Sequence, residues 1–239
     1  MYAQLEESEN THTARKFPVG AYLAVVLVSI FITIIVMAGV EGEAAIPAEP
    51  SQYAAWTVFA GAFGGDNTAM ADGDGAQAET WGGSGNRVTA NGDGAYASAV
   101  DSDNNTAEAD GLGAWATTYG AYIGHSNTAK ANGNGAVANA WGHNNTAIAS
   151  GENAQAQARY GDNNTASATG DGAKADAHHG NSNVASADGI NAIAEAGSED
   201  HPGDNNTATA TGDGTYASAS APTGCTAEAT ATMPFASCP

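Results

Sequence analysis

From Asp66 to its C-terminus this chain repeats one phrase, Asn-Thr-Ala-x-Ala-x-Gly-x-Gly-Ala-x-Ala, as at Asn164–Ala175. The lead asparagine recurs at Asn67, Asn86, Asn105, Asn127, Asn145, Asn164, Asn183 and Asn206, and Cys225 takes the ninth place. The steps are 19, 19, 22, 18, 19, 19, 23 and 19 residues. A fixed period near 19 residues with alternation of period two inside it is the mark of a stacked solenoid. It excludes most globular enzyme folds before any motif is considered.

One period predicts one coil. In residues 162–180, Thr165–Thr169 alternates, with Ala166 and Ala168 on one face. Gly170, Asp171 and Gly172 form a tight turn, where glycine permits a positive φ. Ala173–Ala177 alternates again, and His178–Asn181 makes a second, looser turn. Two short strands and two turns per period give an all-β, alanine-cored parallel β-solenoid, or β-roll, with successive coils about 4.8 Å apart. The inward residues include Ala69, Ala71, Ala107, Ala109, Ala147, Ala149, Ala208 and Ala210. Methyl groups bring the two sheets closer than the usual ~10 Å and leave the backbone ladder much of the stabilising. The lead asparagines sit where a ladder of amides bonds from coil to coil.

Charge removes several partners. The 239 residues carry a net charge of −20 with six Lys or Arg, two of which, Arg15 and Lys16, precede the repeat. Phosphate-backbone binding needs clustered cations, so nucleic acid is excluded as a partner. An anionic membrane surface is a poor partner for the repeat for the same reason. Low complexity and high net charge are also features of disordered chains, but a disordered tract has no need to keep alanine on alternate positions.

The chain divides into five segments. Residues 1–16 read as a cytoplasmic tail, 17–40 as a transmembrane anchor or signal segment, and 41–63 as a linker and first capping strand around Tyr53–Phe59. Residues 64–222 are the solenoid and 223–239 a C-terminal cap. Val19–Val40 is an unbroken apolar or small run, and a bilayer core needs about 20 such residues. Arg15 and Lys16 before it, with Glu41 and Glu43 after it, place the repeat outside the cytoplasm. A retained single-pass helix is the expected form. Secretion after cleavage near Gly42–Ala45 is the rival. Cys225 and Cys238 are the two cysteines, and a disulfide between them would pin the open end of the rod.

Candidate sites follow from the outward positions. Tyr96, Trp115 and Val137 lie on one outward column of the second strand, with Ile193 and Tyr216 further along. Trp81, Val100, Tyr119 and Trp141 lie four residues on, at the same parity. Exposed aromatics gathered on one face mark an interface, with self-association first and a surface ligand or glycan next. Stacking that merely stabilises the strands is the plainer account. Two residues before the lead asparagine stand Asp103, His125, His143 and Asp162 on consecutive coils. Four coils span about 14 Å, so only neighbours such as His125 and His143 would share a metal ion. Polar turn residues at the surface are the default account.

The Gly-Asp-Gly turns invite calcium, but the order Gly-Gly-x-Gly-x-Asp is absent, and turn propensity accounts for them. Calcium is therefore the one cofactor considered, and none is expected. The threonine row Thr68, Thr106, Thr128, Thr146, Thr165, Thr207 and Thr226 has the look of an ice-binding array, yet Arg87 and Val184 interrupt it. Asn104, Asn144, Asn163 and Asn205 begin Asn-Asn-Thr sequons that fall out of the repeat phrase. Serine-hydrolase, zinc-protease and phosphate-loop motifs are all missing, so no enzyme is expected.

The rhythm of Asn-Thr-Ala-x-Ala-x-Gly and Gly-Ala-x-Ala-x-Ala over residues 67–221 resembles the β-roll heads of trimeric autotransporter adhesins. That resemblance implies a homo-oligomer, with a trimer as its form, and an adhesive role. The period here departs from their shorter coils, the apolar segment is N-terminal, and no functional residue carries across. The expected protein is a non-enzymatic exported rod at the cell surface, structural or adhesive. The alternative is a secreted solenoid that binds calcium, glycan or ice.

Overall fold

The computed structural model describes residues 42–45, 58–101, 103–120, 126–197, 203–222 and 224–238. In the coil led by Asn164, strand Thr165–Thr169 joins one sheet and strand Lys174–His178 the other. Each strand pairs in parallel with its equivalent one coil away: Ala166 with Ala185, Ala168 with Ala187, Ala175 with Ala194. Alternate strands in chain order therefore build two ten-stranded parallel sheets. At about 4.8 Å per strand, ten strands make a rod of about 43 Å.

Residues 41–63, expected to hold a linker and a first capping strand, supply the first strand of each sheet. Gly42–Ala45 pairs with Asn67–Asp72, and Phe59–Ala62 pairs with Gln77–Trp81. The capping strand expected around Tyr53–Phe59 falls mostly outside the described residues, as do the tail and the apolar segment 17–40. Among the described residues no helix is long and apolar enough to cross a membrane.

Alanine fills the interior. Ala166, Ala168, Ala173, Ala175 and Ala177 of one coil are all buried, and the same columns continue through the stack. Val88, Thr80, Thr118 and Thr215 are larger residues within this alanine grid. A buried methyl contributes only about 0.8 kcal/mol, so hydrogen bonds between coils matter more here than in a leucine-rich core.

The turns explain the rest of the repeat phrase. At Gly170 φ is +116°, and a Cβ there would lie 2.7 Å from the Gly189 carbonyl oxygen of the next coil. Only glycine allows that stacking. The residue before the lead asparagine is left-handed in turn after turn: Asn104 at φ 57°, Asn144 at 53°, Asn163 at 60° and Asn205 at 61°. Asparagine tolerates that conformation. The Asn-Asn pair thus divides its work, the first residue making the turn and the second entering the core.

Cys225 occupies the buried lead position of the last coil and is disulfide-bonded to Cys238, with a Cα–Cα distance of 6.4 Å. The bond joins the start of strand Thr226–Thr230 to the end of strand Phe235–Cys238, which are the last strands of the two sheets.

Candidate functional site

The asparagine column forms a ladder from side chain to backbone, not from amide to amide. The Asn86 N–H donates to Asn67 Oδ1 at 2.9 Å, and the Asn105 N–H to Asn86 Oδ1 at 2.9 Å. The same bond joins Asn127 to Asn105, Asn145 to Asn127, Asn164 to Asn145, Asn183 to Asn164 and Asn206 to Asn183, at 2.7–3.0 Å. The amide nitrogens donate to turn carbonyls, as Asn164 Nδ2 does to Gly180 at 2.9 Å and Asn206 Nδ2 to Ala221 at 2.9 Å. Cys225 takes the last such bond at 3.1 Å. Cys225 opens the last coil of the stack and carries no side-chain amide, so the ladder ends there.

The turn carboxylates are also occupied. The Asp74 N–H donates to Asp93 Oδ1 at 2.9 Å, Glu152 to Asp171 at 2.9 Å and Ile190 to Asp213 at 2.9 Å. The Ser84 N–H donates to Asp103 Oδ1 at 2.8 Å and the Asn181 N–H to Asp204 Oδ1 at 2.7 Å. These acids stack the turns, each accepting a backbone N–H from the coil before it. In the column proposed for metal, His143 pairs by backbone with Asp162, and His125 lies outside the described residues. Among the described residues no three His, Cys, Asp or Glu side chains gather into a group that could hold a metal ion.

The aromatic residues converge on the outer face of the second sheet. Tyr96, Trp115 and Val137 are register partners in one column, and Trp81, Val100, Tyr119 and Trp141 in another. Between them runs a column of Ser98, Thr117 and Asn139. Tyr96, Trp115, Tyr119 and Trp141 line a cavity of about 710 Å³, floored by Ser98, Thr117 and Asn139. Trp81 stands apart, stacked on Phe63 with centroids 4.5 Å apart, and Val137 lies beside Trp115 without lining the cavity.

The walls are held by ring contacts. Tyr96 and Trp115 lie 4.3 Å apart, Tyr119 and Trp141 6.4 Å, and Trp141 and Tyr160 5.8 Å. Glu79 fixes one end: one carboxylate oxygen accepts from the Tyr96 hydroxyl, the other from Trp81 Nε1 at 3.0 Å. Burial, with the bond to Glu79, pushes the Tyr96 hydroxyl above its ordinary pKa. At the far end Arg159 Nη2 donates to Asp176 at 2.6 Å, and His178 lies 3.1 Å from the same carboxylate.

Sequence reasoning missed Tyr160, Glu79 and the polar floor. Tyr160 lies in a loose turn, off the strand grid on which parity is read. The Asn145 coil keeps the regular 19 residues, and Tyr160, at φ 52°, holds the turn position that Gly82, Asp101 and His179 hold in other 19-residue coils. Its left-handed backbone belongs to that turn, since Asp101 at φ 53° and His179 at 49° share it.

The fold defines the class: a parallel β-solenoid with an alanine core. Compared with protein-family models, curated proteins and solved structures, the chain matches none.

Proposed function

We propose that this chain is a non-enzymatic surface rod, held by its N-terminal apolar segment, whose solenoid stands outside the cytoplasm and adheres through the aromatic face of its second sheet. The supporting observation is the asymmetry of the rod. Asparagine, alanine and turn acids serve stacking in coil after coil, while exposed rings of Trp115 and Tyr119 cluster on a few coils of one face. Stacking does not need them there, because other coils put Gln155, Gln157 and Lys174 at the same sheet's outward positions. The trimer implied by the adhesin resemblance belongs to this reading as its oligomeric form.

A non-permeant amine reagent on intact cells tests the topology. Lys130 and Lys174 should be labelled and Lys16 protected. Labelling of Lys16 with the repeat unlabelled would sink the display of the rod. Cells making the full chain should also settle on surfaces or on each other more than cells without it. Equal settling would remove the adhesive part.

A further inference from the structure

Resting on that adhesive reading, we infer that the groove between the two ring columns binds a neutral, extended polysaccharide chain lying along the rod axis. The charge pattern selects this ligand. The chain carries −20, yet the floor column is uncharged from Ser98 through Thr117, Asn139 and Gln157. It meets carboxylates only beyond those coils, at Glu79 and Asp176. Asp162 brings the single carboxylate to the lining. An anionic polymer would meet the field of the whole chain, and a second copy seated in the groove would bring the same charge to it, which leaves the trimer of the adhesive reading to another face. A neutral partner meets neither penalty.

The surface chemistry agrees. A pyranose presents apolar C–H faces and a rim of hydroxyls. The groove presents rings on both sides, with Trp115 47% and Tyr119 43% exposed, and hydroxyl and amide groups between them. Thr117 Oγ1 donates to Asn139 Oδ1 at 2.5 Å, which orients the Asn139 amide so that its NH2 can donate to a ligand. The rings are held by contact with one another and by Glu79, so little side-chain freedom is lost on binding. The lining extends from Tyr96 to Tyr160, four coils or about 14 Å, and places at least one ring on each coil, at the coil spacing of about 4.8 Å. That spacing is close to the rise of one sugar in an extended chain, so successive sugars can meet successive coils. A compact monosaccharide would use only part of it.

The test is native affinity electrophoresis of the full chain in mild detergent, with hydroxyethyl cellulose, galactomannan or alginate in the gel. At least one neutral polymer should retard the chain and alginate should not. Trp115→Ala with Trp141→Ala should weaken the retardation at least tenfold, while Trp81→Ala, outside the groove, should keep it. Far-ultraviolet circular dichroism identifies any variant that fails to fold, and Asn139→Ala then supplies the comparison from the floor. No retardation by either neutral polymer overturns the inference, as does equal retardation of the groove variants or equal retardation by alginate. Sedimentation showing an oligomer that Trp115→Ala dissociates assigns the groove to a second copy, and likewise overturns it. A chain that fails to bind sugar but still makes cells adhere loses this inference alone. One that binds sugar but gives no adhesion loses the adhesive reading.

Discussion

Ala168 is fully buried between Ala149 and Ala187, its register partners in the coils on either side. Its neighbour Ser167 points to the other face, half-buried between Ile148 and Ser186. The two positions differ in room more than in chemistry. A close-packed interior resists an added side chain, whereas the outer face of a sheet accepts one. Ala168→Leu should therefore cost about 3 kcal/mol or more, at the upper end of overpacking effects. Ser167→Leu should cost little. Thermal melts of the two variants decide it, and equal loss at both positions would refute the alternation on which the core depends.

The asparagine column acts as an element in its own right, since each member accepts from the next and donates to a turn. At Asn164 the amide accepts the buried Asn183 N–H at 2.9 Å and donates to Gly180 at 2.9 Å. Removing it strands both groups, and an unsatisfied buried group costs about 1–3 kcal/mol. Asn164→Ala should then lower stability by about 2–4 kcal/mol, with the Asn183 amide proton exchanging faster. Asn164→Asp keeps an acceptor but loses the donor and buries a charge, so it should be no better at neutral pH. A wild-type melting temperature in Asn164→Ala would show that the ladder does not support the fold. The second sheet's ring contacts are a different kind of ladder. They run from Tyr119 through Trp141 and Tyr160 to His179 on the outside, and the alanine core does not depend on them.

Over the whole molecule, charge repulsion adds to what opposes the stack. There are 26 acidic residues against six Lys or Arg, and coils repeat within one Debye length of each other, about 8 Å at physiological salt. The ion pairs Lys130–Glu108 at 3.0 Å and Arg159–Asp176 at 2.6 Å offset little of it. The melting temperature of the chain should rise by several degrees as sodium chloride goes from about 10 mM to about 1 M, because added ions shorten the range of that repulsion. Lys130→Glu should melt earlier than wild type at low salt and recover much of the difference at high salt. A melting temperature that falls with salt would show that attractive pairs outweigh the acidic excess.

The sequence alone determined the coil. Its period, the alternation around Ala166 and Ala168, and the glycines of each tight turn are local requirements that every coil repeats, so they are legible in one dimension. The Cys225–Cys238 pair was legible too, as the only cysteines at one end of the rod. Tertiary structure decided which outward residues meet. Tyr96 and Trp115 are 19 residues apart and Trp115 and Thr117 two, yet both pairs line one groove, because register turns a coil period into a strand spacing. The positions of Glu79 against Tyr96 and of Tyr160 against Trp141 depend on rotamers and on the stacking of unequal turns. The form of the asparagine ladder also needed the fold, because only the stacking distance decides whether an amide reaches its neighbour's side chain or its backbone N–H. A periodic sequence states its repeat many times over, whereas its groove is written once, in the coils that depart from the repeat.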